Sequence, residues 1–231
     1  MDPRVARTHF FAESGEDDRL EHRNLHFWRA LIGHVRADGV ESAASILDYG
    51  SHTGGLLSLA VEQFKPDRVW GMEPLLRSRQ QAALRLRGHA LQARMLSANE
   101  WAELPDGAVD LLLSHEVLYL VEDLALVFRE FARVLRRQCA AYVVLGCHTE
   151  NPLWPAWKAE LVNMGHEPCD HSPFDLLRAG AEAGLSPSLR PLRDTGWVHY
   201  DPRTPGFSFP TAQTLLDHQY RHKLVFRFIK P

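Results

Sequence analysis

Short apolar runs alternate with segments of helical length from residue 45 to residue 147, and this alternation constrains the fold more than any other feature. Strands separated by helices of about 10–16 residues are typical of a parallel sheet with helices on both faces. A nearly continuous apolar run, as at 108–115, suits a strand that is buried on both faces. The five predicted strands lie at 45–50, 68–74, 90–96, 108–115 and 140–147.

The chain departs from this alternation after Cys147. Residues 148–172 are rich in Pro, His and Trp, and we interpret them as a lid insertion over the sheet. A helix is predicted at 172–185 with Ser172 as its N-cap. The run 224–230 alternates apolar and polar residues, which predicts a final antiparallel strand. No linker separates two domains, so we expect one domain over residues 1–231.

A helical flap is predicted at the N-terminus, over residues 1–40. Within it, residues 14–37 carry apolar side chains at helical spacing, and Gly39 ends the helix. Phe10 and Phe11 either fold over a bound cofactor or pack against the start of this helix.

Composition excludes several classes of protein. The 231 residues are 45% hydrophobic and 24% charged, as in ordinary globular proteins. The net charge of −3 disfavours a nucleic-acid partner, since such binders are usually basic. No apolar run reaches the roughly 18 residues of a membrane span. Three cysteines form no disulfide framework, which predicts a cytoplasmic location.

Glycines and carboxylates follow the first two predicted strands, where an open parallel sheet binds its ligands. The glycines after Asp48 let the backbone approach a ligand, and the following helix N-terminus favours a negative group. Glu73 lies one strand–helix–strand unit later, where a carboxylate accepts hydrogen bonds from a ribose diol. Together they indicate a cofactor that contains a nucleoside.

Three segments resemble the class I S-adenosylmethionine (SAM)-dependent methyltransferases: ILDYGSHTGG (46–55), VWGMEP (69–74) and residues 103–135. The resemblance implies a Rossmann-like α/β fold with a doubly wound, seven-stranded, mostly parallel sheet whose last strand is antiparallel. It implies methyl transfer from SAM, with S-adenosylhomocysteine (SAH) as product, to O, N or C of an acceptor. A nicotinamide-dependent oxidoreductase is disfavoured, because the glycine spacing is not GxGxxG.

The resemblance also assigns roles to the residues that follow the strands. Asp48 would support the amino group of SAM, directly or through water, and Glu73 would hold the ribose hydroxyls. For the adenine amino group, Glu100 and Asn99 are both candidates. The full set of predicted cofactor residues is Asp48, Gly50, Ser51, His52, Gly54, Met72, Glu73, Pro74, Asn99, Glu100, Trp101 and Ser114.

The chain departs from the family pattern at two places. His52 replaces the usual middle glycine of the first motif, and Arg136-Arg137-Gln138-Cys139 replaces a common glycine pair. These departures leave a second hypothesis open, a catalytically silent methyltransferase-like subunit that binds a partner.

Two histidines at the ligand-bearing edge, His115 and His148, are the candidates for proton transfer or acceptor orientation. His166, Cys169 and His171 are too few for a structural zinc site, so we predict no metal. Trp154, Trp157 and Phe174 either line an apolar substrate pocket or pack on the sheet. We expect a small-molecule acceptor and no membrane or nucleic-acid partner, and a homodimer is compatible with the sequence.

Overall fold

Seven strands form one sheet in a computed structural model that describes residues 14–89, 91–98, 100–198, 200 and 208–231, without the side chains of 14–19. The strands are β1 (Ser45–Tyr49), β2 (Arg68–Met72), β3 (Gln92–Leu96), β4 (Val109–His115), β5 (Leu135–Leu145), β6 (Ser186–Pro191) and β7 (Leu224–Ile229). Their order is β3-β2-β1-β4-β5-β7-β6. Strands β1 to β5 are parallel, and β7 lies antiparallel between β5 and β6.

The helices cover both faces of the sheet. They are α1 (Ser14–Ala37), α2 (Gly55–Phe64), α3 (Leu76–Leu86), α4 (Leu124–Val134), α5 (Trp154–Asn163), α6 (Pro173–Glu182) and α7 (Ala212–Asp217). Buried side chains of α1, α2 and α3 pack on one face, and those of α4, α5 and α6 pack on the other. The predicted Rossmann-like α/β class, with a mostly parallel seven-stranded sheet, is confirmed.

The period of two along the strands explains how one sheet serves two cores. On β5, Ala141, Val143 and Leu145 face the core with α4, whereas Tyr142 and Val144 face the core with α1. All five residues of β1 are buried, as expected for a strand near the middle of a sheet covered on both sides.

The structure differs from the sequence-based prediction at several boundaries. The apolar spacing of residues 121–136 predicts a helix over that whole range, but α4 begins only at Leu124, where the Asp123 side chain caps it, and ends at Val134. Residues 135–139 instead extend β5. Strand β6 was not predicted, because an exposed strand with prolines at both Pro187 and Pro191 lacks an apolar pattern.

The segment interpreted as a lid contains α5. Trp154 and Trp157 of this helix are buried in the core, which favours packing on the sheet over a substrate-facing role. Phe174, at the start of α6, is 70% exposed and lines no core. The residues 1–13 of the predicted flap, with Phe10 and Phe11, lie outside the described residues. Among the described helices, none combines the length and apolar character needed to cross a bilayer.

Two helical glycines offer a matched test of this packing. A Cβ on Gly180 of α6 would lie 2.4 Å from the Phe228 ring, whereas a Cβ on Gly33 of α1 would meet nothing within 4 Å. We expect Gly180→Ala to lower the free energy of unfolding by about 1–2 kcal/mol, because the overpacking exceeds the gain in helix propensity. Gly33→Ala should raise it by about 0.5–1 kcal/mol. Urea denaturation measures both, and a stabilised Gly180→Ala variant would contradict the described contact of α6 with β7.

Candidate active site

The turn after β1 is tied to the end of β2 by backbone hydrogen bonds. The N–H groups of Gly50 and Ser51 both donate to the Met72 carbonyl, at 2.8 and 3.0 Å. Gly50 has φ 83°, in the left-handed region that glycine occupies without strain. The turn thereby places Asp48, Gly50 and Ser51 beside Met72 and Glu73, as the predicted cofactor site requires.

His52 adopts the left-handed conformation that glycine would otherwise supply, with φ 46°. Its backbone N–H donates to Oε2 of Glu73 at 3.0 Å. The imidazole therefore does not disrupt the turn, because the backbone follows a glycine-like path at a cost of roughly 1–2 kcal/mol.

Glu73 is buried and anchored by the backbone. Its Oε1 accepts from the Leu75 N–H at 2.9 Å, while Oε2 accepts from His52. Burial raises the pKa of Glu73 above its ordinary value. Each carboxylate oxygen has a second lone pair, so hydroxyl donors can still bind. Arg79 donates to the carbonyls of Glu73 and Pro74, which fixes the chain behind the carboxylate.

Asp48 is the most unusual residue of the site. It is 1% exposed, and neither carboxylate oxygen has a hydrogen-bond partner among the described residues. Burial, followed by the nearby charge of Glu73, raises the pKa of Asp48 to about 8. The hydroxyls of Ser51 and Ser114 are also buried with no partner in the described part of the chain. Buried polar atoms are normally satisfied, so the two unpartnered oxygens of Asp48 indicate a polar ligand at this point.

Helix α1 forms a roof over the turn. A Cβ on Gly55 would lie 2.6 Å from the Trp28 ring, so the glycine admits the indole against the start of α2. Glu21 accepts two hydrogen bonds from Arg85 of α3, both 2.8 Å long, which ties the roof to the far side of the site. Neither Trp28 nor Glu21 carried a signal in the sequence, because the contact depends on how α1 crosses the sheet edge.

The predicted adenine-side residues have other contacts here. Glu100 accepts the Ser97 N–H at 2.5 Å, and Trp101 stacks on Tyr49 with centroids 5.4 Å apart. Asn99, the alternative to Glu100, lies outside the described residues. Gly54, also predicted to bind the cofactor, faces Ala82 of α3, and a Cβ there would lie 2.9 Å from the alanine methyl. Its small size therefore serves helix packing.

The two candidate catalytic histidines have different environments. The ring of His115 lies near Phe27 and Trp28 of α1, and its Nε2 is buried without a partner among the residues described. Burial, with the charge of Lys223, lowers the pKa of His115 well below its ordinary value. His148 donates from Nε2 to the His222 carbonyl at 2.7 Å, which leaves a lone pair on its buried Nδ1. Both imidazoles are therefore neutral acceptors near pH 7.

A buried ion pair lies beside these histidines. Lys223, next to the start of β7, contacts Oε1 of Glu116 at 2.5 Å, and its ammonium lies 4.0 Å from the centroid of the Phe27 ring. Neither residue was chosen from the sequence. Glu116 directly follows a predicted strand and could have been selected, whereas Lys223 is remote in sequence and gave no signal.

The segment around Cys169 makes ordinary loop contacts. His171 donates from Nε2 to the Val121 carbonyl at 2.7 Å. Across the described residues, no group of three or more His, Cys, Asp or Glu side chains is arranged to hold a metal ion.

Comparison with protein families matches residues 47–143 to the family model described as "Methyltransferase domain". The match extends from β1 through most of β5. It therefore contains the turn after β1 and the predicted site residues Asp48, Glu73, Ser114 and His115. No curated protein sequence matches the chain.

Solved structures with the same fold include several methyltransferases. A methyltransferase of Haloferax volcanii, solved in complex with the Trm112 methyltransferase activator, has a TM-score of 0.77 at 20% identity, covering 98% of this chain and 99% of that one. The geranyl diphosphate C-methyltransferase of Streptomyces coelicolor A3(2), solved with SAH, has 0.63 at 20% identity, covering 84% and 75%. A SAM-dependent methyltransferase of Thermotoga maritima has 0.60 at 16% identity, covering 92% of each chain. Residues 47–143 therefore match a methyltransferase domain, and the chain has the fold of these SAM-dependent methyltransferases, in agreement with the predicted superfamily.

Proposed function

We propose that this methyltransferase binds SAM at the carboxyl ends of β1, β2 and β4 and transfers its methyl group to a small-molecule acceptor. The observation that carries the proposal is Asp48, a buried carboxylate whose two oxygens have no partner among the described residues. The cationic amino group of SAM supplies the missing hydrogen-bond donors and the compensating charge.

The other polar groups of the site are proposed to bind different parts of SAM. Glu73, anchored by two backbone N–H groups, offers its free lone pairs to the ribose hydroxyls. Ser51 offers a buried hydroxyl beside Asp48, at the end of the cofactor that carries the amino acid. A bound SAM supplies an electrophilic methyl group on a sulfonium, which reacts by in-line displacement. The chain would contribute the alignment of donor and acceptor.

Ser114 and His115 end β4 and His148 follows β5, at the sheet edge where an acceptor would react. We propose that the neutral imidazoles of His115 and His148 orient the acceptor by accepting hydrogen bonds. Their lowered pKa values make them weaker bases than free imidazole, so orientation is the better supported role. We propose a small-molecule acceptor, since the net charge of −3 disfavours nucleic acid.

A second candidate is a methyltransferase that works with a protein activator. It is favoured by the structural similarity to the Haloferax volcanii chain, because this similarity spans nearly the whole length of both proteins. That chain was solved in complex with Trm112. The alternative of a silent binding subunit predicts no SAM binding at millimolar concentration by the isolated chain. Addition of a Trm112-type protein would restore binding only under the activator hypothesis, so calorimetry with and without it separates the two.

The raised pKa of Asp48 predicts proton release when SAM binds. At pH 7 a carboxyl with a pKa of about 8 is mostly protonated, and an adjacent ammonium favours its ionised form. Binding should release close to one proton at pH 7, and the affinity should rise about tenfold from pH 6 to pH 7. Titration calorimetry in buffers of different ionisation enthalpy measures both. Asp48→Asn should abolish the release, and equal release by this variant would contradict the assignment.

The ribose assignment predicts a large effect of Glu73→Ala. Loss of two charge-assisted hydrogen bonds should weaken SAM binding by about 2–3 kcal/mol. Glu62→Ala, at an exposed position of α2, is the matched control and should leave the affinity unchanged. Because Glu73 also holds the turn, the unfolding midpoint of each variant is measured in parallel. A stable Glu73→Ala variant with the affinity of the original chain would disprove a role in ribose binding.

A further inference from the structure

We infer that Glu116 is the acceptor-side carboxylate of this enzyme: its Oε2 accepts the hydrogen bond of a nucleophilic N–H or O–H group and receives that proton during methyl transfer. The inference rests on the proposed function and narrows its acceptor to a protic amine or hydroxyl compound. Four independent features of the described residues support it.

The first feature is backbone strain at Glu116. The residue has φ 55°, a left-handed conformation that non-glycine residues adopt at a cost and that is frequent at functional sites. Its N–H donates to the Val144 carbonyl of β5 at 2.9 Å, which continues the pairing of β4 with β5 one residue beyond His115. The strained conformation therefore follows directly on a well-formed strand and sets the direction in which the carboxylate leaves it.

The second feature is the space provided by Gly146 at the end of β5. A Cβ there would lie 2.9 Å from Oε1 of Glu116 and 2.8 Å from Cε1 of His218. Only glycine lets the carboxylate lie across the end of β5 without displacement. The carboxylate is thus held at the sheet edge where ligands of this fold bind.

The third feature is the difference in surroundings between the two carboxylate oxygens of Glu116. Oε1 contacts the Lys223 ammonium at 2.5 Å, whereas Oε2 is buried and has no hydrogen-bond partner of standard geometry among the described residues. The buried Cys147 thiol lies near the same carboxylate, and an interaction with Glu116 is among the causes that raise the pKa of this thiol. A buried ion pair adds little stability on balance, since desolvation opposes the attraction. Lys223 is therefore better explained as a positioning residue, which fixes one oxygen and leaves the other for a ligand.

The fourth feature is proximity to the predicted donor end of SAM. Val117, the next residue, packs on the turn after β1, and a Cβ on Gly50 would lie 2.1 Å from its Cγ2. On the other side, His115 is one of the proposed acceptor-orienting groups. Glu116 is thus the residue that connects Val117, which contacts this turn, to His115, which is proposed to face the acceptor.

The chemical step balances without a further reactant. The lone pair of the acceptor N or O forms the bond to the methyl carbon, and the carbon–sulfur bond breaks with its electron pair passing to sulfur, which yields SAH. The acceptor proton passes to Oε2 of Glu116 and later to water. A carbon acceptor without an acidic proton would leave Glu116 unused.

Sinefungin provides a test that needs no known acceptor, because it carries an amine where SAM carries the transferable methyl group. We expect the original chain to bind sinefungin about tenfold more tightly than SAH, through a charge-assisted hydrogen bond to Glu116. Glu116→Gln should reduce this ratio to about twofold and leave the SAH affinity unchanged. Gly146→Ala, which displaces the carboxylate sterically, should reduce the ratio in the same way. Glu182→Gln, an exposed carboxylate of α6, is the matched control.

The outcomes separate the two levels of the argument. The role of Glu116 is wrong, while SAM binding stands, if the original chain binds SAH and sinefungin with equal affinity. The same conclusion follows if the preference for sinefungin over SAH is unchanged in both Glu116→Gln and Gly146→Ala. If neither ligand binds the original chain, the proposed function itself fails, and the inference fails with it. Circular dichroism of each variant identifies loss of fold. If Glu116→Gln proves to be unfolded, the Gly146→Ala variant provides the test instead.

Discussion

The hydrogen bonds between the turn after β1 and the end of β2 are the constraint on which the candidate site depends. Two N–H groups of the turn share the Met72 carbonyl, and a third binds the Glu73 carboxylate. These contacts place two carboxylates, Asp48 and Glu73, in one buried region. Burial and the repulsion between the two carboxylates favour a cationic or hydrogen-bond-donating ligand in this region. Such a ligand would supply the hydrogen-bond partner that Asp48 lacks among the described residues.

Helix α1 completes this region from above. Because Trp28 packs on Gly55, and Glu21 pairs with Arg85, the first turn of α2 and the last turn of α3 are both connected to α1. The ion pair of Lys223 with Glu116 lies under the same helix, since the Lys223 ammonium contacts the ring of Phe27. The proposed cofactor and acceptor regions therefore share one cover, and the cover adds aromatic surface to both.

The sequence predicted the parts of the fold that depend on local pattern. The buried strands β1, β2 and β4 could be located because alternation and glycine punctuation are local properties, and α1 was predicted with the bounds Ser14–Ala37 that the structure gives. Asp48 and Glu73 could be chosen because strand ends converge at one edge of a parallel sheet. Strand β6 could not, because its pairing with β7 is made by backbone contacts that its exposed, proline-containing sequence does not encode locally.

Side-chain environment was the harder part to predict. The sequence offered thirteen histidines and gave no means to tell that His115 is enclosed by α1 or that His148 is fixed by the His222 carbonyl. Gly54 and Trp101 were predicted to bind the cofactor from their position, and their contacts with Ala82 and Tyr49 depend on tertiary packing that the sequence does not show. His52, in place of a glycine of the family pattern, was expected to disturb the turn. The residue instead adopts the left-handed backbone conformation of a glycine, which no sequence pattern reveals.

A crystal structure of the chain with SAH bound tests the central claim most directly. The account predicts that the amino group of SAH lies within hydrogen-bond distance of a carboxylate oxygen of Asp48, with the ribose hydroxyls on Glu73. A ligand bound elsewhere, or one that leaves both oxygens of Asp48 without a partner, would contradict the account.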